Sequence, residues 1–105
     1  MKSTLGALAD PRRRDILEVL RSGERSVGEL VARVEVSQPG MSKHLKVLRE
    51  AGLVEVRRDA QRRQYRLRTA PLQELDDWLT PYRQLWNQRL DALEQHLARK
   101  AEHDQ

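Results

Sequence analysis

The sequence predicts a mainly α-helical domain with one small β hairpin, in the order α-α-α-α-β-β-α. Two short segments before Gly52 each follow a serine that can cap a helix, and the apolar spacing becomes alternating after that glycine. A third observation is a leucine and aromatic series, spaced by three and four residues, that runs from Leu72 to Leu97. The chain has 105 residues, which is typical of one domain. We therefore expect a single domain over 1–105, with 71–105 as a C-terminal helical segment.

The first two helices are indicated by a leucine pair and by a proline start. Leu5 and Leu8 are three residues apart and predict a short first helix. Asp10 is a favourable N-cap, and Pro11 then occupies the first helical position, where a missing N–H costs nothing. The helix that begins there is expected to end near Gly23.

Two capped segments predict a helix-turn-helix. Ser26 and Glu29 have the capping-box spacing and begin one helix, while Ser37 caps a second helix that ends before Gly52. About three residues join the two helices, which is the spacing typical of this motif.

The hairpin and the last helix follow from a change of period. Residues 53–59 and 64–68 alternate apolar and charged side chains, and the polar turn between them places Arg62 and Arg63 at a hairpin tip. Pro71 then begins a long helical segment, which Pro81 is expected to kink or to split into two helices.

Charge is distributed unevenly along the chain. Residues 1–70 contain 16 Lys/Arg and 9 Asp/Glu, a net of +7, whereas residues 71–105 contain 4 and 7, a net of −3. A basic body indicates a polyanionic partner, although solvated surface charge would give the same balance.

The helix after Ser37 separates into two faces at about 100° per residue. The polar arc contains Gln38, Ser42 and three basic residues. Gln can bond two edges of an adenine, Ser a base or phosphate, and Lys a guanine or phosphate, so we interpret this arc as a DNA-reading surface. His44 lies in the middle of the apolar arc and is expected to be a hydrogen-bonded core residue.

Residues 57–68 contain six arginines and one acidic residue, Asp59. A hairpin with this composition can reach phosphates or a minor groove beside the helix. Arg12, Arg13 and Arg14 would also suit phosphate contact, but they oppose the dipole of the helix that they begin.

Other function classes have little support in the sequence. The chain has no cysteine and three dispersed histidines, and no predicted element assembles a catalytic triad or carboxylate pair, so we do not expect an enzyme or a cofactor. No apolar run approaches the length of a membrane span, and we expect a soluble, cytoplasmic protein.

The segments 8–17, 29–30 and 37–54 closely resemble the ArsR/SmtB-type winged-helix repressors. The most specific string is Ser-Gln-Pro-x-x-Ser-x-His-Leu-x-x-Leu-x-x-Ala-Gly-Leu-Val, from Ser37 to Val54. The resemblance implies a homodimeric winged helix-turn-helix protein that binds an imperfect palindrome near a promoter. It also implies base contacts from positions 38, 39, 42 and 43, and backbone or minor-groove contacts from a wing over 57–66. The predicted DNA-binding residues are Gln38, Pro39, Ser42, Lys43, Lys46, Arg57, Arg58, Arg62, Arg63 and Arg12.

The resemblance and the apolar stripe together predict a dimer through the first and last helices, because the stripe is too large for a small monomer to leave exposed. The predicted interface residues are Leu5, Leu8, Leu75, Leu79, Tyr82, Trp86, Leu90 and Leu93.

A metal response is not expected, although it stays open as an alternative. The thiolate positions of the arsenic and cadmium sensors correspond to Ser26 and Gly28, and His96 and His103 do not have the spacing of the zinc sensors. The Trp78, Tyr82 and Trp86 series resembles a branch without metal sites. A winged-helix module for protein contact is the second alternative, and the sequence does not indicate an effector or the operator.

Overall fold

The computed structural model describes residues 1–103, with side chains as far as residue 102. It contains five helices and three short strands within that range: α1 (Lys2–Leu8), α2 (Pro11–Leu20), β1 (Arg25–Ser26), α3 (Val27–Arg33), α4 (Gln38–Glu50), β2 (Val54–Asp59), β3 (Arg62–Leu67) and α5 (Ala70–His103). The mainly helical class with a small hairpin is confirmed, and the helix order is the predicted one. The chain forms two compact units, and the boundary between them lies inside α5: the first unit is Met1–Leu75, and the second begins at Asp76.

The predicted helix starts are confirmed by their caps. The Asp10 side chain accepts from the Arg12 N–H at 2.8 Å. Ser26 and Glu29 form the reciprocal capping box, at 3.2 Å and 3.1 Å. Because each cap satisfies N–H groups that have no partner in the helix, these short helices have defined first residues. Four residues, 34–37, join α3 to α4, against the three expected.

The sheet contains one strand that the sequence did not indicate. β1 pairs antiparallel with β3, which pairs antiparallel with β2, in the order β1-β3-β2. A strand of two residues has no detectable period, so only its pairing with β3, Arg25 opposite Tyr65 and Ser26 opposite Gln64, reveals it.

The hairpin turn is tighter than expected. Ala60 has a φ of 57°, and the two residues Ala60 and Gln61 complete the turn. The prediction that Arg62 and Arg63 form the tip is therefore wrong by one or two positions, since they are the first residues of β3 and are paired with Asp59 and Arg58.

The core lies in the first unit, between the helices and the inner face of the sheet. Its buried apolar residues are Ala7, Ile16, Leu17, Leu20, Leu30, Val34, Met41, Leu45, Leu48, Leu53, Val54 and Tyr65. The hairpin contributes only its base to this core, so its outer half extends away from the packed region.

Helix α5 is continuous from Ala70 to His103, so of the two alternatives predicted at Pro81, a kink or a split, the split into two helices is wrong. Proline removes one helical hydrogen bond, but side chains span the same turn. Arg83 donates to the Asp76 carboxylate at 2.6 Å and to the Thr80 hydroxyl at 2.9 Å. Within the described residues, no helix is long and apolar enough to cross a membrane.

Candidate nucleic-acid interface

Helix α4 presents an exposed polar face. Its buried side is made of Met41, Leu45 and Leu48, which are at most 1% exposed. The five α4 residues that were predicted to contact DNA are all exposed, and we call them the reading face: Gln38, Pro39, Ser42, Lys43 and Lys46. Because the apolar side is held in the core, the reading face cannot rotate away from solvent.

The first turn of α4 has a fixed geometry. The Ser37 hydroxyl accepts from the Gly40 N–H at 3.2 Å. A Cβ at Gly40 would lie 2.9 Å from Val36 Cγ1 and 3.1 Å from the Ser37 hydroxyl, so the approach of the preceding loop requires glycine. This close contact holds the start of the reading face, and Gln38 with it, against the α3–α4 connection.

The end of α4 determines the path into the hairpin. Gly52 has a φ of 74°, its N–H donates to the Arg49 carbonyl at 2.9 Å, and the Leu53 N–H donates to the Leu48 carbonyl at 2.9 Å. This is a Schellman ending, which reverses the chain while satisfying the last carbonyls. The hairpin therefore begins directly beside the reading helix.

The structure separates the six arginines of the hairpin into two groups. Arg57 donates twice to Glu24, and Arg66 donates to Glu55, which also lies 4.0 Å from Arg68. Arg58, Arg62 and Arg63 make no ion pair or side-chain hydrogen bond within residues 1–103, and we call them the wing-tip arginines. Their charge is available to a partner outside the chain.

Arg58 and Arg63 are direct cross-strand neighbours on one face of the hairpin. Like charges in this position destabilise a hairpin by a few tenths of a kcal/mol to about 1 kcal/mol. An anion placed between them would offset that repulsion, and the guanidinium fork matches the geometry of a phosphate.

Arg57 was predicted from the sequence as a DNA contact, but its guanidinium already has a partner. Its Nε lies 3.2 Å from Glu24 Oε1 and its second terminal nitrogen 2.8 Å from Glu24 Oε2. The hydrogen bonds from Arg57 hold the pKa of Glu24 below its usual 4.5, and Glu24 raises the pKa of Arg57. The sequence contained no signal for Glu24, which is 33 residues away.

The three arginines at the start of α2 differ in their roles. Arg13 donates to the carbonyls of Ala7 and Gly6 at 2.7 Å and 3.1 Å, and Arg14 donates to the Leu8 carbonyl at 3.0 Å. These bonds satisfy the end of α1, which offsets the unfavourable position of the charges at the start of α2. Arg12 is exposed and remains a predicted DNA contact.

His44 lies where the helical period placed it, on the core side of α4 and half buried. Its Nδ1 is 3.5 Å from an Arg13 terminal nitrogen, which also lies 3.6 Å from the Asp10 carboxylate. The histidine is therefore part of the packing between α2 and α4 and not of the reading face.

The predicted dimer residues of α5 include several large exposed side chains. Tyr82, Trp86, Leu90 and Leu93 are 45–57% exposed, and Leu75 and Leu79 are half buried. Trp78 and Leu85, which were not in the predicted set, are 45% and 48% exposed, and the rings of Trp78 and Tyr82 are 5.0 Å apart. In α1, Leu5 is 45% exposed, whereas Leu8 packs against the core.

The positions considered for metal binding have other contacts. The Ser26 hydroxyl is the cap of α3 and accepts from Glu29, and Gly28 has no side chain. His96 is exposed, and the side chain of His103 lies outside the described residues. No group of three or more His, Cys, Asp or Glu residues comes together in the part of the chain that the structure describes.

A helix-turn-helix whose second helix is followed by a β hairpin, with a short strand before the first helix completing the sheet, defines the winged helix-turn-helix class of DNA-binding proteins. Residues 10–56 match the family model described as bacterial regulatory protein, arsR family. The chain belongs to the ArsR family of transcriptional regulators.

Two curated relatives differ in the sign of their regulation. The transcriptional repressor SdpR of Bacillus subtilis is 33% identical over 79 residues, which cover 75% of this chain and 88% of SdpR. The transcriptional activator HlyU of Vibrio cholerae is 51% identical over 57 residues, which cover 54% of this chain and 53% of HlyU. Among solved structures, an ArsR-like transcriptional regulator from Rhodococcus sp. RHA1 is 33% identical with a TM-score of 0.72, covering 90% of this chain and 89% of that one.

Proposed function

We propose that the protein is a homodimeric repressor that binds an imperfect palindrome in double-stranded DNA, with α4 in the major groove. The observation that carries the proposal is the reading face, which is exposed on a helix whose other side is buried. The second helix of a helix-turn-helix reads base edges in this way. In this proposal Gln38 and Ser42 contact bases, and Lys43 and Lys46 contact guanines or phosphates.

The wing-tip arginines have a separate task. We assign them, with Arg12, to phosphates beside the groove that α4 occupies, because Arg58 and Arg63 oppose each other and no described acidic side chain neutralises them. Contacts to phosphates hold any duplex and carry no sequence information, so they set affinity while the reading face sets specificity.

The dimer is supported by the exposed apolar side chains of α5 and by Leu5 of α1. Aromatic and leucine side chains that are about half exposed along one helix are typical of a surface that a second copy covers. A two-fold dimer would place two reading faces on two half-sites about 10 base pairs apart, or a multiple of that distance, and this is why we expect a palindrome.

Light scattering at micromolar concentration tests the dimer. We expect about twice the chain mass of 12.3 kDa. Leu90→Glu, which places a charge on the stripe, should give a monomer, whereas Arg89→Glu at the adjacent position should leave the dimer intact. A monomeric mass for the wild type would contradict the proposed dimer, and the expectation of a palindromic operator would then lose its basis.

Selection of bound sequences from random duplex DNA tests the function itself. We expect enrichment of an inverted repeat, and recovery of no sequence above background would contradict the proposal. A promoter reporter that carries the selected site then distinguishes repression from activation, since the relatives include both. In this proposal the protein is a transcription regulator and not an enzyme, and it binds bacterial promoters in the cytoplasm.

A further inference from the structure

The ion pair between Glu24 and Arg57 connects the hairpin to the loop that precedes the helix-turn-helix. Both carboxylate oxygens of Glu24 accept from the same guanidinium, at 3.2 Å and 2.8 Å. A bidentate pair of this kind defines orientation as well as distance, because the planar fork of arginine matches the carboxylate. The side chains are 31% and 49% exposed, so the pair lies at the surface.

The contact crosses the whole sheet. Arg57 of β2 lies opposite Gln64 of β3, and Gln64 lies opposite Ser26 of β1. Since β3 is the middle strand, the Arg57 side chain reaches past it, about two strand spacings or 10 Å, to the residue just before β1. No described backbone pairing joins β1 to β2, whereas this side-chain pair links β2 to the residue just before β1.

The Glu24 end of the contact is firmly held. Arg25 donates to the Glu24 carbonyl at 2.8 Å and to the Ser22 hydroxyl at 3.3 Å, which braces the loop. Two residues later, Ser26 caps α3, the first helix of the helix-turn-helix. Glu24 therefore lies in a hydrogen-bonded loop two residues before the cap of that motif.

The Arg57 end lies where the hairpin leaves the core. Val54 and Tyr65 are buried, whereas Arg57 and every later residue as far as Arg63 are exposed. The outer half of the hairpin, which carries the wing-tip arginines, contributes no buried side chain from residues 57–63. The Glu24–Arg57 pair is placed at the boundary between the buried and the exposed half.

We propose that Glu24 is a positioning residue for DNA binding: by holding Arg57 it fixes the tilt of the hairpin, so that the wing-tip arginines meet phosphates while α4 occupies the groove. This inference rests on the proposed DNA-binding function. It assigns Arg57 a role through Glu24 and not through DNA, which replaces the expectation drawn from the sequence.

The two roles of Arg57 predict opposite effects when Glu24 is removed. If Arg57 bound a phosphate, Glu24 would compete for its guanidinium, and Glu24→Ala would tighten DNA binding and steepen its dependence on salt. If the pair positions the hairpin, Glu24→Ala weakens binding although the protein becomes more basic. An exposed ion pair contributes enough free energy to change an equilibrium constant by up to about fivefold. We therefore expect Glu24→Ala to lower the DNA affinity by up to about fivefold for each wing.

The test is operator affinity measured against salt concentration for four proteins. They are the wild type, Glu24→Ala, the exchange variant that combines Glu24→Arg with Arg57→Glu, and the control Glu18→Ala. Glu18 forms an exposed pair with Arg21 on α2, at 3.2 Å, so its removal changes the net charge equally without touching the hairpin. Thermal melting of each variant checks folding, and the exchange variant retains a pair even if Glu24→Ala lowers the melting temperature.

We expect Glu24→Ala to weaken operator and scrambled DNA by the same factor and to reduce the salt slope, with Glu18→Ala unchanged or slightly tighter. The exchange variant should recover most of the affinity although residue 57 is then negative. The inference would be overturned if Glu24→Ala bound DNA more tightly than the wild type or with unchanged affinity. It would also be overturned if the exchange variant bound more weakly than Glu24→Ala. Failure of the wild type to bind any selected operator would instead contradict the proposed function.

Discussion

Replacing Arg62 and Arg63 together with Ala should weaken binding to every duplex and reduce the dependence of affinity on salt. Within the described residues neither side chain has an intramolecular ion pair, so the variant removes contacts to DNA and leaves the ion pairs of the fold in place. Each arginine that meets a phosphate contributes about 0.9 to the log–log salt slope. Two residues per subunit therefore account for about 1.8 of the slope, and a dimer for about 3.6.

The size of the effect follows from that slope. Between 50 and 200 mM salt, a slope smaller by about 3.6 makes the fall in affinity about 150-fold smaller than in the wild type. The measurement is fluorescence anisotropy with operator and with scrambled DNA over this range. Because phosphate contacts do not distinguish sequences, the ratio of the two affinities should stay unchanged.

The chain offers a matched control at the end of the same strand and just after it. Arg66 and Arg68 carry the same charge as Arg62 and Arg63, but both lie against Glu55. Replacing Arg66 and Arg68 with Ala should reduce the salt slope less than replacing Arg62 and Arg63, since the Glu55 carboxylate lies against both guanidinium groups and offsets one of their two charges. Equal slopes in the two double variants would refute the division of the hairpin arginines and would indicate that only the net charge matters.

Four further predictions follow from the described contacts. Gln38→Ala should reduce the difference between the binding free energies of operator and scrambled DNA by about 1–3 kcal/mol per base contact. An unchanged ratio of the two affinities in anisotropy would contradict a role in base reading. Arg13→Ala should lower the free energy of unfolding in urea by about 1–3 kcal/mol, because it leaves the end of α1 without its donors, whereas Arg12→Ala should change it little. Hydrogen bonds from the Arg12 and Ser26 N–H groups hold the pKa values of Asp10 and Glu29 below 3.8 and 4.5, so their contribution to stability is present above those values and is lost as the pH falls through the lowered ones. The free energy of unfolding, measured with a chemical denaturant between about pH 5 and pH 3, should show this loss. It should depend less on pH in Glu29→Gln, and an equal pH dependence in the two proteins would contradict a stabilising capping box. One equivalent of zinc, cadmium or arsenite per subunit should not release operator DNA, and release in a mobility shift would revive the metal-responsive alternative.

The helices could be predicted because their determinants lie within a few residues of one another. The capping box of Ser26 and Glu29, the cap at Ser37 and the left-handed Gly52 are each contained in one turn of chain. The division of α4 into a buried side and a reading face likewise follows from the helical period. These features depend on local geometry, which neighbouring residues largely determine.

The features that the sequence did not indicate depend on contacts between distant residues. β1 exists only because two residues pair with β3, about 40 positions later, and a two-residue strand has no period. His44 and Arg13, which pack together, are 31 positions apart. Nothing in the spacing of such residues distinguishes a contact from a coincidence, because the fold determines which side chains meet.

The sequence by itself determined the order of helices, the basic hairpin and the residues of the reading face, since each follows from composition and from periods of two or 3.6 residues. Only the tertiary structure decided which of the six hairpin arginines are available. Their sequence context is nearly uniform, but Glu24 meets Arg57 from 33 positions away and Glu55 meets Arg66 across the strand pair. An arginine next to a carboxylate has its charge neutralised within the chain, and the fold alone brings those carboxylates into contact.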